Sequence, residues 1–286
     1  MPGSAPKRRG RRGPGDPLEV YRRIRKPMPP PERVEPDRRH EVDERDAERQ
    51  IREALGEPPP PPVPVVAPPG SAARRPFADR QEAGIELAEA LRPVLPRDAV
   101  LLAIPRGGVE VAAVIAERLD LPLDIVVPRK LGAPGNPELG LGAIAEGVRV
   151  LDEGLIRALG VPDAYLDAEI ERQAAEIRRR ASAYREGRDP TPIAGRTVVV
   201  VDDGVATGGT AVAAIRSARR AGAREVVFAA PVAPFEALER LGGEADRTLI
   251  LWTPARFHAV GQWYVEFSQV EDDRVITLLR AAAERP

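Results

Sequence analysis

Apolar residues fall into short dense runs separated by amphipathic stretches, and the alternation begins near Phe77. Residues 197–201 (TVVVV) are an unbroken β-branched run, the pattern of a strand covered on both faces. Residues 99–104 (AVLLAI), 123–127 (LDIVV), 226–230 and 248–252 predict further buried strands from their length and their flanking residues. Helical periodicity occupies the intervals. It covers 78–92 (apolar at Ile85, Leu87, Ala88 and Leu91), 108–119, the charged stretch 164–185 (Leu166, Ile170 and Ile177), 209–221 before Gly222, and 235–241. Residues 143–145 and 148–151 are expected to pair as a small hairpin around Glu146-Gly147. Strands separated by helices predict an α/β fold with a mostly parallel central sheet flanked by helices and right-handed crossovers.

Composition changes the picture upstream of Phe77. Of the 32 prolines, 18 lie in residues 1–76, and residues 58–62 are consecutive prolines, which exclude helix or central strand. Residues 1–76 are therefore expected to be a disordered Pro/Arg-rich tail, with 77–286 as the folded domain. The tail holds a basic cluster over 7–26 and a polar stretch, 41–55, long enough only for a marginal helix. The basic cluster reads first as solvated charge, with contact to RNA or anionic lipid as the alternative. Overall, 43 Lys+Arg balance 44 Asp+Glu, so charge gives no general case for nucleic acid as a partner. Cysteine is absent, which excludes disulfides, thiolate metal sites and cysteine nucleophiles. With no apolar run long enough to span a bilayer and no apolar leader, the expected location is cytoplasmic.

The candidate chemistry concentrates in residues 198–210, VVVVDDGVATGGT. A buried strand ends at Asp202-Asp203, a loop containing Gly204, Val205, Ala206, Thr207 and Gly208 follows, and a helix begins at Gly209-Thr210. Carboxylates at the C-terminal end of a strand stand where α/β sheets bind ligands. Small residues, free N–H groups and hydroxyls at a helix N-terminus form a cradle for phosphate. Paired carboxylates suit a vicinal diol, and a diol beside a phosphate describes ribose 5-phosphate. A Walker A loop is excluded because its lysine is missing, and the dinucleotide fingerprint is excluded because its glycines precede the acidic residue. The plain structural alternative is an acidic turn before a helix capped by Thr207 or Thr210.

This segment resembles the signature of the type I phosphoribosyltransferases, a hydrophobic run, two acidic residues and a Thr/Ser-Gly-x-Thr/Ser loop, in a form close to that of adenine phosphoribosyltransferases. Pro105-Arg106-Gly107-Gly108 and residues 259–264 (AVGQWY) further resemble a bacterial branch of phosphoribosyltransferase-like proteins. The resemblance implies the type I phosphoribosyltransferase fold with a small C-terminal hood. It also implies that Asp202 and Asp203 bind the ribose hydroxyls of phosphoribosyl pyrophosphate (PRPP), and that 207–210 binds its 5′-phosphate. Arg106, Gly107 and Gly108 resemble the family's pyrophosphate loop, which often carries a cis non-proline peptide. Arg129-Lys130 resembles the pair that opens the family's flexible loop. Lys130 is one of only three lysines, and residues 131–142, rich in glycine with two prolines, read as an irregular lid. Arg74 and Arg75 read as solvated boundary charges.

The implied reaction displaces pyrophosphate from C1 of PRPP by a nitrogen nucleophile. Arg106 and Lys130 would stabilise the leaving group, and Mg²⁺ would reach Asp202 and Asp203 directly or through water. The expected partners are PRPP and an unidentified base or amine, with a homodimer as the candidate assembly and no membrane or nucleic acid. Non-catalytic PRPP binding or sensing is the alternative, and an RNA-associated regulator is a lesser one. Ala206 stands where hypoxanthine-guanine enzymes carry an Asp facing the purine. Phe257, His258, Trp263, Tyr264 and Phe267 are candidates either for a wall that stacks on a base or for a layer packed on the core. Glu138 and Glu146 are further acid/base or orienting candidates.

Overall fold

The computed structural model describes residues 75–285. The expectations for 1–74, including the basic cluster and the 41–55 helix, lie outside the described residues. Five parallel strands, β1 (Val100–Ala103), β2 (Leu123–Ile125), β6 (Thr197–Val201), β7 (Glu225–Val232) and β8 (Arg247–Trp252), form the central sheet in the order β2-β1-β6-β7-β8. Parallel neighbours need crossovers. These are α2 (Gly107–Leu119) after β1, α5 (Gly209–Arg220) after β6 and α6 (Phe235–Gly242) after β7.

The strands alternate faces with period two. Leu101, Ala103, Val199, Val201, Val227 and Leu249 share one core with Leu87 and Leu91 of α1 (Arg80–Leu91), Ile115 of α2 and Val275 of α7 (Asp272–Ala283). Val100, Leu102, Val198, Val200, Phe228 and Ile250 share the other with Val212 and Ile215 of α5 and Leu238 of α6. Continuous apolar strands are what this burial on both faces demands.

A second, antiparallel sheet joins β3 (Arg129–Ala133), β4 (Asn136–Ala145) and β5 (Val148–Leu151). The hairpin expected at 143–151 is present as β4–β5. Residues 131–142, expected to be an irregular lid, are instead mostly strand. Leu131 and Leu141 are fully buried, and Tyr165 Oη donates to the Gly132 carbonyl at 3.0 Å. These apolar anchors, spaced among glycines, hold the segment down, and Pro134, Gly135, Pro137 and Glu138 remain exposed at its tip. Ala143 and Ala145 of this sheet pack on Ala213, so α5 lies between the two sheets. The chain continues through α3 (Glu153–Leu159) and α4 (Asp163–Arg185) to β6. The sequence reading missed α3 and α7. Among the described residues no helix is long and apolar enough to cross a membrane.

Candidate active site

The strand order reverses between β1 and β6, since the chain leaves β1 toward β2 and leaves β6 toward β7. Ligands of open α/β sheets bind at such a switch point, beyond the carboxyl ends of the strands. Two loops occupy it here. One is Ile104-Pro105-Arg106, which leads from β1 into α2 and contains a cis peptide between Pro105 and Arg106. The other is 202–208, between β6 and α5.

The loops touch through glycines. A Cβ on Gly108 would lie 2.7 Å from the Val201 carbonyl oxygen, and one on Gly107 would lie 1.8 Å from Asp203 Oδ2. A larger residue at Gly108 would push the N-terminus of α2 off the β6 backbone, and one at Gly107 would displace the Asp203 carboxylate or the loop.

Asp202 Oδ1 accepts the Asp203 backbone N–H at 2.9 Å, and Asp203 Oδ2 accepts Arg80 Nε at 2.8 Å. Among the described residues no further backbone or basic donor reaches either carboxylate, and the two side chains interact with each other. Burial, reinforced by the neighbouring charge of Asp203, pushes the Asp202 carboxyl well above the usual range. Gly204 has φ +159°, and a Cβ there would meet Val260 Cγ1 at 2.4 Å, so the segment after β8 closes directly over the acidic loop.

Gly208 precedes α5 at φ +83°, a left-handed conformation, and no side chain caps the helix. The structural alternative of a cap from Thr207 or Thr210 is therefore not found, and the first N–H groups of α5 are left without a side-chain partner. Thr207 is exposed, and its carbonyl accepts Arg240 Nη1 at 3.1 Å.

The remaining predicted cations are engaged by other protein groups. Arg106 Nη1 lies 3.6 Å from Asp272 and 3.7 Å from Glu271, at the start of α7. Asp272 also accepts the Tyr184 hydroxyl at 2.7 Å, and burial followed by this hydrogen bond pushes that phenol up to about 12. Arg129 Nε donates to Gln173 Oε1 at 2.9 Å, and burial pushes its guanidinium down. Lys130 Nζ donates to the Glu138 carbonyl and lies 3.6 Å from its carboxylate. Glu146 is exposed at the β4–β5 turn, with its carbonyl accepting Ser217 Oγ at 3.1 Å. Arg75 pairs with Glu82.

The segment after β8 forms an arm. A 3₁₀ turn, Val260–Trp263, leads into an extended stretch that pairs with the chain before α1: Phe77 N–H donates to Trp263 O at 2.9 Å, and Val265 N–H to Phe77 O at 2.7 Å. Tyr264 is placed in the packed layer, not on an open wall. Its ring is buried between Phe77 and Phe267, and its hydroxyl donates to the Asp203 carbonyl. Trp263 meets Trp252 edge-on at 4.4 Å between centroids and stacks with Phe257 at 6.1 Å. The Trp263 Nε1 donor is buried and finds no acceptor among the described residues. The His258 side chain is exposed, and its backbone N–H donates to Gln262 Oε1.

Arg80 is the site residue that sequence reasoning missed. It stands 123 positions from Asp203, on a helix whose Gln81 and Glu89 are exposed.

Residues 96–248 match the phosphoribosyl transferase domain family. Two Mycobacterium tuberculosis proteins, from strains H37Rv and CDC 1551, are each 47% identical over 207 residues, and their names give phosphoribosyl transfer as a provisional assignment. The chain belongs to the phosphoribosyl transferase family. The match covers 72% of this chain and 47% of each mycobacterial protein, so the chain spans about half their length. The crystal structure of TT1426 from Thermus thermophilus is 46% identical, with a TM-score of 0.61, over 72% of this chain and 98% of that one. A parallel sheet flanked by helices is consistent with the type I fold of the family. Residues 96–248 include both switch-point loops but neither Arg80 nor the arm.

Proposed function

We propose that this domain transfers a 5-phosphoribosyl group between PRPP and a nitrogen nucleophile, with pyrophosphate as leaving group. One observation carries the reading: paired carboxylates, an uncapped helix N-terminus and an Arg-Gly-Gly loop meet at one switch point. The carboxylate oxygens of Asp202 and Asp203 not held by Arg80 or the loop backbone accept hydrogen bonds from the ribose 2- and 3-hydroxyls. The N–H groups at the start of α5, with the hydroxyls of Thr207 and Thr210, hold the 5′-phosphate. Arg106 exchanges its long contacts to Glu271 and Asp272 for pyrophosphate oxygens, and Lys130 exchanges Glu138. Partly exposed ion pairs of this kind hold only about 0–1 kcal/mol, so the exchange costs little. As the C1–oxygen bond breaks and the C1–nitrogen bond forms, these cations balance the charge on the departing pyrophosphate.

Among the described residues no cluster of three or more acidic or imidazole groups is placed to hold a metal. Two carboxylates at one strand end nevertheless fit Mg²⁺, which takes one or two carboxylates together with phosphate oxygens and water. Such an ion would neutralise phosphate charge, and it would relieve the repulsion between Asp202 and Asp203.

For the acceptor, Phe257 and Trp263 present stacked rings beside a buried indole N–H without an acceptor, which suits a planar nitrogen heterocycle carrying its own acceptor atom. The second reading, PRPP binding without turnover, draws on Arg129, which is committed to Gln173. Calorimetric titration with PRPP and Mg²⁺ tests the shared part of both readings, and absence of binding at millimolar ligand by folded protein overturns them. Pyrophosphate release across a panel of nucleobases and amines then separates enzyme from sensor.

A further inference from the structure

Arg80 sits where three chain segments meet. Its side chain is 8% exposed, and that of Asp203 is 15% exposed. Its Nε donates to Asp203 Oδ2 at 2.8 Å, and Nη1 donates to the Ser268 carbonyl at 2.9 Å. Its guanidinium carbon lies 3.9 Å from the centroid of the Phe267 ring, and Glu110 stands 3.6 Å from Nη1. The absent Cβ of Gly107 leaves the room this arrangement needs, since a Cβ there would lie 3.0 Å from Arg80 Nε. One planar fork thus bonds the acidic loop with one nitrogen and the arm with another, while its face rests on an arm ring. Lysine could supply the charge but not the two fixed directions or the stacking face.

We propose that Arg80 is a positioning residue that fixes the Asp203 carboxylate and ties it to the arm, so that occupation of the ribose site and the setting of the arm over the acceptor side are coupled. The proposal rests on the phosphoribosyl-transfer reading for the identity of the two sites. The tie itself rests on the contacts of Arg80. With Asp203 Oδ2 held by Arg80, Oδ1 is left to face the diol. A diol that draws on Asp203 loads the Arg80 bond, and through Ser268 and Phe267 it loads the arm. Coupling of this kind is reciprocal, so an arm locked by an acceptor must also change the affinity for PRPP.

The chain offers its own reporter, because it has two tryptophans and they are Trp252 and Trp263. The test uses the full chain as wild type, Arg80→Lys, Arg80→Met and Phe267→Leu. Tryptophan emission is recorded without ligand and during titration with PRPP and Mg²⁺, and calorimetry gives affinity. Arg80→Met should shift the ligand-free emission, weaken PRPP at least about ten-fold and abolish the emission change on binding. Arg80→Lys should recover part of the affinity by pairing with Asp203, while leaving the emission uncoupled. Wild-type affinity and emission in Arg80→Met, with the wild type binding PRPP, would overturn this proposal and leave the proposed function intact. Failure of the wild type to bind PRPP would overturn the proposed function, and the ligand-free emission of Arg80→Met would then decide the tie alone. Should Arg80→Met not fold, Phe267→Leu removes the ring beneath the guanidinium, and unchanged emission in that variant overturns the tie.

Discussion

Gly107 faces the Asp203 carboxylate so closely that even a methyl group cannot stand between them: a Cβ on Gly107 would lie 1.8 Å from Asp203 Oδ2. The loop after β1 and the loop after β6 are therefore fitted to each other before any ligand arrives. Gly107→Ala forces the carboxylate off Arg80 or the loop off the sheet. PRPP affinity should fall at least about ten-fold, with a loss of roughly 1–3 kcal/mol in stability from overpacking. Calorimetry and thermal melting of the variant check both numbers.

The two carboxylates should respond differently to neutralisation. The folded protein holds the Asp202 proton more tightly than the unfolded chain does, because burial and Asp203 disfavour its charge. The stability this contributes is present below the ordinary value of 3.8 and is lost as pH rises through the higher folded value. Asp202→Asn should therefore match wild type in acid and exceed its melting midpoint at neutral pH. Its PRPP affinity should fall about ten- to a hundred-fold with the loss of one charge-assisted hydrogen bond. Asp203→Asn instead deprives the nearly buried Arg80 of its main counter-charge, and it should cost about 1–3 kcal/mol at neutral pH. Melting curves of both variants from about pH 4 to about pH 8 distinguish the two.

At the phosphate loop, conformation and contact can be separated. Gly208 has φ +83°, so Gly208→Ala places a Cβ in the left-handed region and should cost about 1–2 kcal/mol. Thr207 is exposed, and the helix after it has no side-chain cap, so Thr207→Ala should leave the melting midpoint unchanged while weakening PRPP. A drop in midpoint for Thr207→Ala would mean that its hydroxyl serves the fold.

The chain before the domain gives a fourth test. Phe77 is 2% exposed and bonds the arm through its backbone, so the fold needs the chain from about this point onward. Deleting residues 1–70 should move the melting midpoint by less than about 10 °C, whereas a deletion that also removes Phe77 forfeits about 3–5 kcal/mol and frees the arm. Comparing the two truncations by thermal melting, with tryptophan emission alongside, checks both outcomes.

The five strands and the acidic loop were legible because each is local: a β-branched run specifies a buried strand, and carboxylates before Gly208-Gly209 specify a turn into a helix. The hairpin of β3 and β4 was not legible, because glycine and proline mask a strand whose few anchors, Leu131, Ala133 and Leu141, are buried by distant partners. Helix α7 did carry a signal, with Val275 and Leu279 four residues apart, acids in its first turn and Arg280 in its last. Arg80 carried none. It is one arginine among many until the fold brings Asp203, Ser268 and Phe267 around it. Tyr264 shows the same limit, since its aromatic character predicts contact but only the structure assigns its hydroxyl to the Asp203 carbonyl.

Helix α5 is enclosed on two sides, with Ala211 and Ala214 against the central sheet and Ala213 against the second one. With Val212 and Ile215 also buried on the central-sheet side, the helix is held in one seat. The end of the site proposed for the sugar phosphate is thus built like a fixed jaw. The opposing jaw, the arm, is attached to the chain before α1 by a few backbone hydrogen bonds and to the acidic loop by single side chains. Substitutions in the arm should accordingly act most on the proposed acceptor side, and reach the proposed ribose site only through the few side chains that join the two, Arg80 and Tyr264. A change of acceptor would then fall first on the arm, at positions that touch the fixed jaw through few contacts.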